Sequence, residues 1–255
     1  MLFAPGGRRA GTGGVWRVEV GALWRCRAHG CGNGWGPSFE ARSPGPTDRR
    51  HLLIDSLIAR GLDPAVPRLF IIDGSKALSR AIRRSFGHET AIQRCQIHKA
   101  RNIMARLPKG LHVSVRRALR QAWELDDAAK AERLIRNLAQ RLEHEAPGVS
   151  GSLLEGLDEI LTVTRLGLPA ELRRSLACTN IIENMMGTIR RVSRNVKHWR
   201  SASMALRWTA AAMLEAKKGF RRLKAYKQLP ALRAALIARS EKTHPRNLDK
   251  LLKVA

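Results

Sequence analysis

The ten residues 69–78, LFIIDGSKAL, constrain the fold of this chain more than any other stretch. Four apolar residues run directly into Asp73, and Gly74 and Ser75 precede an amphipathic segment. A short unbroken apolar run reads as a buried strand that delivers the acid at its carboxyl end. Ser75 is placed to cap a helix over 75–86, which Gly87 closes. A second short strand, TAIQRC at 90–95, and a helix over 97–106 complete a strand–helix–strand–helix unit, the pattern of an α/β sheet. Just upstream, HLLIDSLIARGL at 51–62 carries a helical apolar stripe that Gly61 is placed to stop.

Beyond this unit the pattern turns helical. Residues 111–165 read as helices throughout, with a Pro-Gly break at 147–148. Residues 179–194 form a further helix, with Thr179 or Asn180 as its cap, and Ser201 opens an Ala-rich one. The last 25 residues read as a shorter helix and a basic tail. The expected architecture is α/β but mostly helical, with strand 69–72 central in a reduced sheet and the helices of 111–175 as a separate insertion. The first fifty residues differ from the rest. They hold 11 of the 21 glycines and 3 of the 6 tryptophans, yet the first Ile is Ile54 and the first Lys is Lys76. That segment is expected to be poorly ordered.

Charge narrows the partner. With 47 Lys+Arg against 21 Asp+Glu the net charge is +26, a surplus that suits a polyanion, most often nucleic acid. The surplus is local: residues 120–175 carry 8 basic and 10 acidic side chains (net −2), whereas residues 184–229 carry 12 basic and 1 acidic (net +11). No apolar run approaches the ~18 residues that span a bilayer. Four cysteines give no disulfide framework, so a cytoplasmic setting is expected.

Two readings of Asp73 stand side by side. It caps a helix or starts a turn, as Asp commonly does after a strand, or it holds a metal ion. Glu183, in NIIEN, would meet it only through tertiary folding and taken alone is an ordinary helix residue. Four stretches, LFIIDGSKALSRAIRRSFG, QRCQIHKARNIMARLPK, CTNIIENMMGTIRRVSRNVKHWRS and MALRW, together resemble the Mutator-type transposases of bacterial insertion sequences. The match runs from about residue 52 to 240.

That resemblance implies a ribonuclease-H-like catalytic domain interrupted by the helical insertion, and a triad of Asp, Asp and Glu. Asp73 looks like the second Asp and Glu183 like the Glu, both as Mg²⁺ ligands and catalytic groups. Two Mg²⁺ ions in such a site activate the attacking oxygen and stabilise the leaving one during strand cleavage and transfer. The implied division is an atypical segment at 1–50, the first part of the catalytic domain at 51–110, the insertion at 111–175, helices carrying Glu183 and the basic segment at 176–220, and a basic helical tail at 221–255. The implied partner is DNA, both terminal inverted repeats and target, on the bacterial nucleoid, with a homo-oligomer left open.

The family's first Asp stands on the first strand of the sheet, and no counterpart is recognisable before residue 50. Of the upstream acids only Glu19 ends a strand-like stretch, VWRVEV at 15–20. The expectation is a copy whose amino-terminal half was lost by truncation and frameshift, and which cleaves poorly. The alternative is a non-catalytic DNA-binding protein derived from a transposase; an RNA-binding or ribosomal protein rests on charge alone.

Cys95 and His98 stand at the spacing of half a zinc site, which would need two further ligands. The family carries such a pair here, which favours a structural or active-site-proximal role. CRAHGC at 26–31 resembles a metal motif by chance. Arg190, Arg191, Arg194, Lys197 and Arg200, with Trp199 among them, are read as a phosphate track. Met185, Met186, Trp123 and Trp208 are read as packing residues.

Overall fold

The computed structural model describes residues 2–4, 17–19 and 46–243. Its elements are, in order, β1 (Leu2–Ala4), β2 (Arg17–Glu19), α1 (Pro46–Ala59), β3 (Leu69–Ile72), α2 (Lys76–Phe86), β4 (Ala91–Arg94), α3 (Gln96–Met104), α4 (His112–Glu124), α5 (Ala128–Glu145), α6 (Val149–Leu154), α7 (Leu157–Ile160), α8 (Thr162–Arg165), α9 (Ala170–Leu176), α10 (Asn180–Ser193), α11 (Ala202–Lys218) and α12 (Leu229–Thr243). The described part is mostly helical with one small sheet, of strand order β2-β1-β3-β4. Strand β3 is interior, antiparallel to β1 and parallel to β4. The expected disorder of 1–50 falls largely outside the described residues, as does CRAHGC; helix α1 begins at Pro46, inside the segment read as atypical.

The continuous apolar run of β3 has a direct cause: both of its faces are covered. Leu69 and Ile71 join Ala91 in a core closed by Val163, Leu168, Leu172 and Leu176 and by Leu229, Leu232 and Leu236 of α12. Phe70 and Ile72 face the other way, onto Ile54 of α1 and Ala81 and Ile82 of α2. Ser75 caps α2 as its position predicts, its Oγ accepting from the Leu78 amide at 3.4 Å, and Gly87 ends the helix at φ +93°.

Residues 111–175 contain no strand, but their helices divide between two cores. Helices α4, α5 and α6 pack with α3 around Ile103, Val115, Leu119, Ile135, Leu142 and Leu153. Helices α8, α9 and α12 instead cover the sheet. After the Pro-Gly break the chain forms three short helices, α6, α7 and α8. Gly156 turns left-handed at φ +68°, and Leu161 leaves helical geometry at ψ 8°. The break frees backbone groups that β4 then captures. The buried Gln93 amide donates to the Ile160 carbonyl at 2.8 Å and accepts from the Val163 amide at 2.9 Å. Thr162 donates to the Ile92 carbonyl at 2.7 Å. Edge strand β4 is thus covered by the broken helix rather than left bare. The segment read as a basic tail is likewise structural up to Thr243, since Leu232 and Leu236 of α12 are buried.

Helices α10 and α11 form a hairpin around Met185, Ile189, Ala212 and Ala216, with Met186 partly buried against them. Trp123 packs against the helical core, but Trp208 corrects its reading as a core residue: it is 38% exposed.

Candidate functional site

The site forms at the carboxyl ends of the parallel pair β3–β4, where open α/β sheets commonly bind ligands. Ile72 is level with Arg94, and the Cys95 amide donates to the Ile72 carbonyl at 2.7 Å. Asp73 therefore stands one strand spacing, about 4.8 Å, from Cys95. The Gln96 amide then donates to the Ala177 carbonyl at 2.9 Å, which pins the start of α10 over the same strand end. Through that contact Glu183, in the first turn of α10, reaches the site across more than a hundred residues of intervening chain.

Four side chains meet there. The Thr179 hydroxyl lies 3.4 Å from Cys95 Sγ, 3.3 Å from His98 Nδ1 and 3.1 Å from Glu183 Oε1. His98 Nδ1 is 3.5 Å from Glu183 Oε1, and Arg101 Nη1 is 3.4 Å from Glu183 Oε2. The donor atoms of Cys95, His98 and Glu183 all lie within 4.8 Å of one another. Cys95 and Thr179 are buried, whereas the side chains of His98 and Glu183 are about a third exposed. The sequence offers Thr179 or Asn180 as the cap of α10, and the structure puts Thr179 at that position. It precedes α10 but makes no capping bond, because its hydroxyl is committed to this cluster.

Asp73 does not join the cluster. Its carboxylate is exposed, and Oδ1 accepts from the Ser75 amide at 3.2 Å, the turn geometry of the simpler reading. That bond leaves the carboxylate open to solvent. The donor types settle what each residue suits. Carboxylate oxygens of Asp73 and Glu183 fit a hard cation such as Mg²⁺, while the sulfur of Cys95 and imidazole of His98 do not. Arg101 occupies Glu183 Oε2, and Oε1 faces His98 and Thr179.

Sequence reasoning missed a latch beside the site. The Arg94 guanidinium threads between Gly74 and Gly156, where a methyl group on either glycine would overlap it. It donates to the carbonyls of Glu155 at 3.1 Å and Gly74 at 3.3 Å. Lys99 is buried and donates to the carbonyls of Ser152 and Glu155, and Lys76 pairs with Glu155 at 2.7 Å. Burial, followed by the neighbouring Arg94 charge, pushes Lys99 down to about 8. Arg101 was also missed; its spacing of three from His98, which puts both on one face of α3, is the signal that could have found it.

The five basic residues lie apart from this cluster. Arg190 and Arg191 are in the last turn of α10, Arg194 follows it, and Lys197 and Arg200 stand on the connection to α11. All five are exposed, and among the described residues none is ion-paired with a carboxylate.

A family model described as "Transposase, Mutator family" matches residues 49–222. The chain belongs to that family. It is 30% identical over 154 residues to the transposase for insertion sequence element IST2 of Acidithiobacillus ferrooxidans, covering 60% of this chain and 51% of that one. It is 32% identical over 124 residues to the transposase for IS6120 of Mycolicibacterium smegmatis, covering 49% and 38%. Against the transposase for IS256 in transposon Tn4001 of Staphylococcus aureus it is 30% identical over 153 residues, covering 58% and 37%. The chain thus spans about half, or less, of the length of these relatives. Among the described residues no helix is long and apolar enough to cross a membrane.

Proposed function

We propose that this chain acts on DNA in transposition, through a ribonuclease-H-like catalytic domain to which Asp73 and Glu183 contribute acids. One observation carries the reading: Glu183 is delivered by α10 to the end of β4, one strand from Asp73. Asp73, exposed at the end of β3, and Glu183, about a third exposed, both open to solvent beside the same pair of strand ends. Mg²⁺ is the ion their oxygens suit; bound, it supplies Lewis-acid polarisation of a phosphate and activation of a water or 3′-hydroxyl. Arg190, Arg191, Arg194, Lys197 and Arg200 would hold the DNA backbone, and Trp199, 38% exposed, offers a stacking face among them. In this reading residues 51–110, with α8 to α12, form the catalytic unit and α4 to α6 the insertion, and terminal repeats and target DNA are the partners, on the nucleoid, with a second copy of the chain as a candidate companion.

Iron substitution tests the site without requiring turnover. Fe²⁺ in place of Mg²⁺, with ascorbate and peroxide, should cut the backbone near residues 73 and 183, and D73N with E183Q should abolish both cuts. Cutting elsewhere would refute the assignment.

A second reading, DNA binding without cleavage, is favoured by a separate observation. The strand on the other side of β3 is Leu2–Ala4, which bears no carboxylate. Glu19 stands a further strand away, level with Phe70 rather than Asp73. That is about 10 Å across and about 10 Å along the sheet from the site. Purified chain should therefore bind element ends while cleaving them little. Robust Mg²⁺-dependent end cleavage would overturn this second reading.

A further inference from the structure

We propose that Cys95, His98 and Glu183, with the Thr179 hydroxyl as fourth donor, form a tetrahedral site for a borderline-soft divalent cation, Zn²⁺ being the natural occupant. Paired spacing alone left the Cys95–His98 motif two ligands short; the fold supplies Glu183 from the first turn of α10 and Thr179 from the residue before it. Four donors placed about 2.1 Å from one zinc ion stand about 3.4 Å from each other. Four of the six corresponding edges here measure 3.4, 3.3, 3.1 and 3.5 Å. For the two sulfur edges, one ligand atom each from Cys95, His98 and Glu183 lies within 4.8 Å of the others. A sulfur, an imidazole nitrogen and a carboxylate oxygen are the donor set of zinc rather than magnesium.

The surroundings suit a reversible site. Cys95 is buried at the root, and the partial exposure of His98 and Glu183 leaves a path for the ion. Binding converts the Cys95 thiol to a thiolate and releases its proton to water, so uptake lowers the pH of a weakly buffered solution. Arg101 opposes the ion, since it stands 3.4 Å from the other Glu183 oxygen. A zinc ion held here would also draw Glu183 away from Asp73, a consequence that rests on the catalytic reading above; the site itself does not.

Cobalt substitution on the full-length chain tests the proposal. One equivalent of Co²⁺ should give the intense visible bands of a tetrahedral centre and a sulfur-to-cobalt charge-transfer band, both bleached by Zn²⁺ but not by Mg²⁺. A variant keeping Cys95 as its sole cysteine (C26S, C31S, C178S) should retain the charge-transfer band, and Cys95→Ser should lose it. Loss of an outer partner weakens metal sites 10–100-fold. His98→Ala and Glu183→Gln, which remove direct ligands, should therefore raise the dissociation constant at least about 100-fold. Arg101→Ala should lower it. Circular dichroism checks that each variant keeps its helices. A charge-transfer band that survives in Cys95→Ser, or an affinity unchanged in folded Glu183→Gln, overturns the proposal, as does the absence of any band with folded wild-type chain.

Discussion

Lys99 offers a sharp test of how the helical insertion is fastened to the site. It is 3% exposed, and its ammonium donates to the carbonyls of Ser152 and Glu155 on the insertion side. Burial and Arg94 pull its pKa from 10.5 to about 8, with Glu155 opposing them. Between those two values the unfolded chain holds the lysine proton more fully than the folded one, so stability rises with pH through that window and is lower beneath it. A separation of 2.5 pH units at about 1.36 kcal/mol each amounts to about 3 kcal/mol. Lys99→Met has no proton to exchange there, and it leaves two carbonyls without their donor, at a cost of about 1–3 kcal/mol each. Urea unfolding of both proteins at intervals from pH 7.5 to 10.5 isolates Lys99, because the tyrosine and cysteine titrations cancel in the difference. Wild type should gain about 3 kcal/mol over the variant as the pH rises across the window. A difference that stays flat would show that the two carbonyls hold the proton as well as water does, and that Lys99 is not the titrating element of the latch.

Gly156→Ala should cost about 1–2 kcal/mol for its left-handed backbone and more where the methyl meets Arg94; combining it with Arg94→Ala should recover the second part in a double-mutant cycle by urea unfolding. Leu172→Ala, at a fully buried position between sheet and α9, should lose about 2–5 kcal/mol in the same assay. Replacing Arg190, Arg191 and Arg194 with Ala should weaken DNA binding across sequences and reduce the slope of log affinity against log salt by up to about three; an unchanged slope would move the DNA face elsewhere.

How much was legible follows from the range of each interaction. Strand β3, the Ser75 cap and the glycine stops at 61 and 87 are local, set by a few neighbouring residues, and the sequence pattern finds them. The breaks at Gly156 and Leu161 were illegible because their cause lies far away, in Gln93 capturing the backbone at Ile160 and Val163. Trp208 has the periodicity of a core residue, but periodicity does not say whether a neighbouring element covers that turn. Thr179 is the instructive case. Its sequence position suits a helix cap, and only tertiary partners at residues 95, 98 and 183 reassign its hydroxyl.

The stretch CQIHKAR, residues 95–101, shows why the site and the insertion cannot vary independently. His98 and Arg101 lie on the face of α3 that meets Glu183. Lys99 points away from that face, into the carbonyls of the insertion, and Arg94 at the preceding strand end grips the loop that carries Asp73. A displacement of residues 152–156 therefore acts on α3 through Lys99 and on Gly74 through Arg94. Both carboxylates depend on those contacts, one through the helix that presents their partners and the other through its own loop. Glu183 is held by Arg101 and His98, whereas Asp73 is held by the Ser75 amide of its own loop. Arg101 meets Glu183 only at Oε2, which leaves Oε1 toward His98 and Thr179; a DNA phosphate competing for that guanidinium would free the second oxygen as well.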